Sequence, residues 1–439
     1  MMGLLSDGVR LQTSSQGKVL DCMNQLMLRR RIFHSRLVAS LCLGLMLPCA
    51  FARGLVAQQQ ATKASDKHGQ AKQELWDYAD QLRMSGDDPA NPGPLAHLSS
   101  SMRPKAVHAA MRKVADWQLA RVQNDYSRDW TFATLYLGML AAYDTLHDPR
   151  YREFVRGEGE HYDWTLGPRK AHADDQAVGQ SYLWFYAHDH DPKQIAAMRA
   201  QFDEVSKLPD DPAKPVWWWC DALFMAPPAW AQLSAVTHDG AFLDYMNREW
   251  HITANLLWDP QEHLFFRDKT YFDKREKNGQ KIFWSRGNGW VIAGMARVLS
   301  FMPVNDPRRP FYVEKFRQMA ERLKSLQGKD GLWRPGLLDA ADYPYPENSG
   351  SAFFIYAMAW GVRNGILSAK EFRPVIARGW RGLVAHIYAD GRLGSIQPIG
   401  AAPGAYGPGA SYVFGTGAFL MAGEQVAELD HPSARAAGK

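Results

Sequence analysis

A single carboxylate, Asp221, stands inside the apolar run Trp217-Trp218-Trp219-Cys220-Asp221-Ala222-Leu223-Phe224-Met225-Ala226-Pro227-Pro228. Two readings of it are open. Aspartate ahead of Ala-Leu-Phe is a good helix start, its side chain capping free backbone N–H groups. Aspartate among tryptophans is also a candidate acid. Loss of water disfavours the carboxylate form, raises the pKa and keeps a proton ready for donation. The readings are compatible, because a cap residue points into whatever opening lies at the helix start.

Three further clusters carry polar chemistry. In His172-Ala173-Asp174-Asp175-Gln176, followed by Gly179, either aspartate could cap the helix expected near Gln176. Adjacent acids do not easily face one cleft, so at most one is expected to touch a ligand. Trp284-Ser285-Arg286-Gly287-Asn288-Gly289-Trp290 combines a fork-shaped cation suited to a carboxylate, two tryptophans and glycines that admit a ligand closely. Its plainer reading has Asn288 as a cap and Trp290 in the core. Tyr345-Pro346-Glu347-Asn348-Ser349-Gly350-Ser351-Ala352 lines a cleft or caps a helix from Ser351. No spacing of His, Cys and Asp suggests a metal cage, so no metal and no cofactor are expected. Gly287-x-Gly289 lacks the preceding strand and third glycine of a nucleotide loop.

Helices must position these clusters. Phe132–Leu146, Ala177–His188, Ala222–Val236, Gly289–Phe301, Ser351–Gly365 and Thr416–Leu429 have helical period and mix small residues with aromatics. Between them lie one-sided, charged helices such as Pro104–Arg121, Asp239–Asn255, Arg309–Gln327 and Ala369–His386. Helices apolar all round belong inside and one-sided helices outside. Six inner helices alternating with outer ones predict an all-α fold, an (α/α)6 barrel. The loops expected at Trp217–Trp219, Trp284–Gly289, Tyr343–Gly350 and Gly404–Gly415 all precede inner helices, so they should gather at one mouth. Most of the 16 tryptophans are expected in the core, the rest stacking on sugar rings there.

The amino terminus reads as a secretory leader. Arg29, Arg30 and Arg31 precede an apolar run from Leu37 to Leu47, and Ala50-Phe51-Ala52 offers a small-x-small cleavage site. The run is too short to span a bilayer. Residues ahead of Met23 or Met27 read as sequence upstream of the true start, and Pro48 before Cys49 argues against lipidation. Residues 1–52 are thus expected to be removed, 53–74 to form a flexible tether, 75–430 the barrel and 431–439 a disordered tail. The leader carries Arg10, Lys18, Arg29, Arg30, Arg31 and Arg36 against Asp7 and Asp21, hence +4 of the formal +5. A mature chain near +1 gives no reason to expect nucleic acid or membrane binding. Cys22, Cys42 and Cys49 leave with the leader; Cys220 stays alone, so no internal disulfide is expected. The implied product is an exported enzyme, periplasmic or secreted, expected to be a monomer.

Taken together and in order, the clusters resemble the unsaturated glucuronyl and rhamnogalacturonyl hydrolases, glycoside hydrolase family 105 and its relative family 88. The resemblance runs from about residue 75 to the end. It includes His172-Ala173-Asp174-Asp175, Trp219-Cys220-Asp221-Ala222-Leu223-Phe224-Met225, Phe283 through Trp290, Glu347 through Ala352 with Trp360-Gly361-Val362, and Gly415 through Leu420. It implies an (α/α)6 barrel and a substrate with a 4,5-unsaturated uronic acid at the non-reducing end, left by a polysaccharide lyase on a pectin-type glycan. It implies that Asp221 is the general acid/base and acts by hydrating the double bond. It further implies that Asp174, with Asp175 as alternate, grips ring hydroxyls beside His172 and Trp219. Trp284, Arg286, Asn288 and Trp290 would then form the stacking and carboxylate-binding wall. One departure concerns the charge of the site. Some relatives have a histidine after a Leu-Phe-x stretch, where this sequence has Arg267 after Leu264-Phe265-Phe266. Two other readings compete. An inverting glycosidase would use Asp174 and Asp221 roughly 6.5–9.5 Å apart on a saturated glycan. A sugar-binding barrel without catalysis would tolerate loss of Asp221.

Overall fold

The computed structural model describes residues 85–431, residue 210 excepted. The expected leader and tether, and all but the first residue of the expected tail, lie outside the described residues. Twelve helices of 11 residues or more occur among the described residues, joined as six hairpins. The outer members are α1 (Pro104–Val122), α3 (Pro149–His161), α6 (Lys193–Val205), α9 (Gly240–Leu257), α11 (Arg309–Ser325) and α13 (Ala369–Val384). The inner members are α2 (Trp130–Leu146), α5 (Gly179–Asp189), α8 (Pro227–Thr237), α10 (Ser285–Phe301), α12 (Asn348–Arg363) and α14 (Val413–Ala427). Single-turn helices α4 (Ala173–Gln176) and α7 (Ala222–Met225) stand immediately ahead of α5 and α8. Two two-stranded antiparallel ladders complete the set: β1 (Gly86–Asp87) with β4 (Ser411–Tyr412), and β2 (Trp258–Asp259) with β3 (Leu264–Phe265).

Each inner helix packs on the next, and α14 packs back on α2, so the ring is closed. All six inner segments read from the sequence are inner helices here. Small residues set the spacing. A Cβ on Gly417 would lie 2.2 Å from the Thr134 carbonyl, and one on Gly138 would lie 2.5 Å from the Gly417 Cα. Only bare backbone lets α2 and α14 cross this closely, and the crossing closes the ring.

The turns leading out of the ring are built three times from the same pair. His147, His190 and His238 end α2, α5 and α8 with φ of 55°, 56° and 57°. Histidine is among the non-glycine residues enriched in this left-handed region. The next residue is aspartate each time, and its side chain accepts a backbone N–H two residues on: Asp148 from Arg150, Asp191 from Lys193, Asp239 from Ala241. The inner helix is thus stopped and the outer one started within two or three residues.

At the opposite end the inner helices begin side by side. Trp130 at the start of α2 lies 5.3 Å from Phe414 at the start of α14, whose ring is 4.8 Å from the Arg286 guanidinium at the start of α10. Arg286 is in turn 3.7 Å from Glu347, the cap of α12. The clusters therefore gather at one mouth. They do so on shorter loops than expected, because residues 285–289, 348–350 and 413–415 are already helical.

Candidate active site

The break between α7 and α8 presents Asp221. Pro227 and Pro228 have no N–H, so the carbonyls of the preceding turn lose their helical donors. Gln180 of α5 supplies the replacement, donating to the carbonyls of Phe224 at 2.9 Å and Met225 at 3.2 Å. The Arg297 Nε holds the other side of that amide at 2.6 Å. Gly294 of α10 passes so close that a Cβ there would meet the Leu223 carbonyl at 2.2 Å. From the other side, Cys220 N–H donates to the Arg267 carbonyl at 2.9 Å.

Asp221 does not cap its helix. Its backbone is already right-handed helical, with φ of −61° and ψ of −31°, so its side chain cannot turn back to the first free N–H groups. The capping reading of Asp221 is thereby corrected. The carboxyl has a 3.3 Å contact from Cys220 Sγ and a 3.8 Å approach from Arg267 Nε, with 14% of the side chain exposed. Burial raises its pKa above the ordinary carboxyl value, against the opposing pull of Arg267.

The Asp174–Asp175 pair divides its work. Asp175 is turned inward and bonded by Arg169 through its backbone N–H at 2.7 Å and its guanidinium at 2.5 Å. Asp174 keeps 22% of its side chain exposed and lies 3.8 Å from His172 Nδ1. Burial, then the charges of Asp129 and Asp221, push Asp174 up to about 8. Neither aspartate caps. The cap of α4 is His172, whose Nδ1 accepts the Asp174 N–H at 3.3 Å. Burial and the Arg169 charge lower the His172 pKa, which favours the neutral ring that this bond requires. His172 packs on Trp219 with centroids 4.9 Å apart, and Trp219 on Trp218 at 4.7 Å.

The third cluster is placed differently from expectation. Trp284, Arg286, Asn288 and Trp290 are buried, none more than 2% exposed. Trp290 packs among Phe353, Phe224 and Trp130 in the core. Trp284 donates to the Gln397 side chain at 3.0 Å. Arg286 donates to the carbonyls of Gln397 and Pro398 at 2.6 and 2.7 Å. A fork already spent on two carbonyls is not presented to a ligand. Asn288 is mid-turn in α10 and caps nothing; its amide accepts the Phe265 N–H at 2.8 Å and donates to the Phe265 carbonyl at 3.1 Å. That pairing fixes β3 and hence Arg267 two residues later. Arg267 reaches the site, 20% exposed, with one donor on Asp268 at 2.6 Å. Its guanidinium lies 5.3 Å from the Trp218 ring. Glu347 takes the capping reading of its cluster, accepting the N–H groups of Ser349 and Gly350.

Two site residues escaped the sequence reading. Trp218 is 46% exposed between buried Trp217 and Trp219, and it is the open aromatic face of the mouth. A tight turn that alternates side-chain direction is the signal that would have singled it out. Asp129 caps α2, accepting the Thr131 N–H and hydroxyl at 3.0 and 2.6 Å, and burial raises its pKa. Its charge bears on Asp174. Among the described residues no group of three or more His, Cys, Asp or Glu is placed to hold a metal. A depression of about 640 Å³ between Val304 and Arg317 lies at the α10–α11 turn, the end opposite the mouth, and contains none of these groups.

The buried carboxyls imply a pH-dependent fold. Asp174 and Glu158 stand at about 8 and Glu424 at about 7, burial being the first cause in each. Above pH 6.5 the unfolded chain has released these protons, while the folded chain holds them until about pH 7 for Glu424 and about pH 8 for Asp174 and Glu158. Stability therefore falls as pH rises through that window. His172, His251 and His386 are pulled down by burial and act in the opposite sense, but only below about pH 6.5. Thermal unfolding should show a midpoint lower at pH 8 than at pH 6.5, by an amount equivalent to about 1–4 kcal/mol. A midpoint that rises across this window would mean that these groups ionise normally.

A closed helical toroid whose acid, neutral imidazole and open tryptophan share one mouth belongs with the glycan-processing enzymes built on that ring. Comparison with known proteins narrows the class. The profile of Glycosyl Hydrolase Family 88 matches residues 102–429, and the chain belongs to that family. A protein named unsaturated 3S-rhamnoglycuronyl hydrolase from Formosa agariphila is 38% identical over 343 residues, 74% of this chain and 91% of that protein. A protein of the same name from an Alteromonas species is 32% identical over 366 residues, 75% of this chain and 88% of its own. The structure of a family 88 glycosyl hydrolase from Bacteroides vulgatus superposes with a TM-score of 0.71 at 27% identity, covering 74% of this chain and 99% of that one. A structure named as a polysaccharide lyase also gives 0.71, at 30% identity, covering 75% and 98%. Family 105, placed first by the sequence resemblance, shares the fold: a possible member from Salmonella enterica gives 0.62 at 17% identity, covering 76% and 95%. Among the described residues no helix is long and apolar enough to cross a membrane.

Proposed function

We propose that the enzyme removes a 4,5-unsaturated uronic acid from the non-reducing end of lyase-made oligosaccharides by hydrating the double bond. The observation that carries this reading is the Asp221 carboxyl, buried and spending no hydrogen bond on its helix. In the protonated form that burial favours, Asp221 gives its proton to C4. The positive charge left at C5 and the ring oxygen is met by water. Asp221, now a carboxylate, takes the proton released as water adds to C5. The resulting hemiketal opens and expels the aglycone, so one acid serves both steps. Asp174 and neutral His172 hold ring hydroxyls, and Trp218 stacks on the sugar. An inverting pair would need one carboxyl ionised as a base, whereas burial raises both Asp174 and Asp221.

Arg267 takes the carboxylate role first given to Arg286. It has exposed surface beside Asp221, and its Nε has no hydrogen-bond partner. Arg267→Ala should raise KM for unsaturated uronides about tenfold or more while leaving kcat less affected, because a charge-assisted hydrogen bond to a carboxylate is removed. An unchanged KM in steady-state assays would return the role to another cation.

The names of the Formosa and Alteromonas relatives favour a rhamnoglycuronyl substrate over the pectin-type chain first expected. The leader read from residues 1–52 supports export to the periplasm or beyond. The deciding experiment follows the ultraviolet absorbance of the conjugated double bond. Hydration removes it when unsaturated oligosaccharides are added. The name of the lyase-like neighbour supports a second reading, β-elimination, which would instead create absorbance from the uncut polymer.

A further inference from the structure

A cavity of about 320 Å³ opens between the loops that precede α12 and α14, lined by Tyr343, Pro344, Tyr345, Pro403, Tyr406 and Lys277. It lies at the same end of the ring as Asp221, since both loops lead into inner helices whose starts gather there. Arg286 joins the two places. Its charge bears on Asp221 and on Tyr406, and its two donors hold the Gln397–Pro398 end of the loop that carries Pro403 and Tyr406.

The cavity is built rather than incidental. Tyr406 donates to the Pro346 carbonyl at 2.8 Å, tying one loop to the other. Tyr343 donates to Glu276 at 2.9 Å, and the Gln397 amide donates to the Ala402 carbonyl at 2.7 Å. Tyr345 is 38% exposed and lines the opening. The cation in the lining, Lys277, is already paired with Asp342 at 2.7 Å, with Glu276 and Asp339 close by. The charges of Arg286 and Arg334, which also bear on Tyr406, are met by Glu347 and Asp330. The cavity therefore suits the C–H face of a neutral ring.

We propose that this cavity is a distal subsite that binds a neutral pyranose of the aglycone, beyond the sugar joined to the uronate, by stacking it on Tyr345. The proposal rests on the functional reading above and deepens it. It makes the enzyme sensitive to chain length. Wild type should turn over an unsaturated tetrasaccharide with a higher kcat/KM than the disaccharide from the same lyase digest. Tyr345→Ala should lower kcat/KM on the tetrasaccharide about 3- to 10-fold and leave the disaccharide within about twofold. Tyr345 is exposed and lends only its backbone carbonyl to Tyr406, so the variant should fold. Equal loss on both substrates, or none on either, overturns the subsite. Calorimetric binding of the saturated trisaccharide, the aglycone itself, separates this proposal from the function. If wild type binds it and Tyr345→Ala binds it about 3- to 10-fold more weakly while no chromophore is ever consumed, the subsite stands and the hydration reading falls. If the trisaccharide binds both proteins equally, the subsite falls whatever the turnover.

Discussion

Asp221→Asn is expected to lower kcat by about 10²–10⁴, toward the upper limit, because one residue provides both the acid and the base. The amide matches the carboxyl in shape and has no transferable proton. Folding should be almost untouched, since Asp221 caps nothing and the amide oxygen can still accept the Cys220 thiol. Oligosaccharide affinity should persist. Turnover in heavy water supplies an independent sign: the wild-type enzyme should leave deuterium on C4 of the released uronate product, because the proton delivered there comes from an exchangeable acid. Full activity in Asp221→Asn, or label confined to the aglycone hydroxyl, would point to direct cleavage of the glycosidic bond.

The second large effect is on stability. Arg286→Leu is expected to destabilise the protein by about 3–5 kcal/mol. Arg286 is wholly buried, and removing it leaves Glu347 without a cation at 3.7 Å and two carbonyls without donors. The urea midpoint should fall with little change in slope. Arg286→Lys should fall between, because a single ammonium cannot reproduce the fork that meets adjacent carbonyls. Adding Glu347→Gln to Arg286→Leu should recover part of the loss, as expected of two residues in one network. If Arg286→Leu unfolds like wild type and only KM for the uronide rises, the arginine faces substrate after all.

The six inner helices were legible because their pattern has a physical cause that survives in one dimension: a helix surrounded by others must be small and apolar on every face. The turns were less legible. His147-Asp148, His190-Asp191 and His238-Asp239 are followed by Pro149, Pro192 and Gly240, which mark the turn, but nothing in the sequence shows that a histidine rather than a glycine takes the left-handed position. At the site, Asp221 stands out by its apolar surroundings, whereas Asp174 is singled out only by the resemblance. Arg286 was misplaced for an instructive reason. Its motif names the right groups, but the sequence does not show that helix α10 starts at Ser285, which turns the guanidinium toward the 397–398 backbone. Asn288 likewise was read as touching sugar when it holds a strand that carries Arg267. Trp218 was hidden between two identical neighbours, Trp217 and Trp219, that only a turn can tell apart.

The glycine crossing between α2 and α14 also constrains how the protein is made. The first inner helix leaves the ribosome long before its closing neighbour, which comes within the last few dozen residues. Until then the ring is an open arc with an apolar flank and no local substitute for the missing wall. Loop closure on that scale is slow, and the arc is exposed to aggregation while it waits. Chains cut short before Val413 should therefore accumulate as insoluble or chaperone-bound material rather than as smaller enzymes.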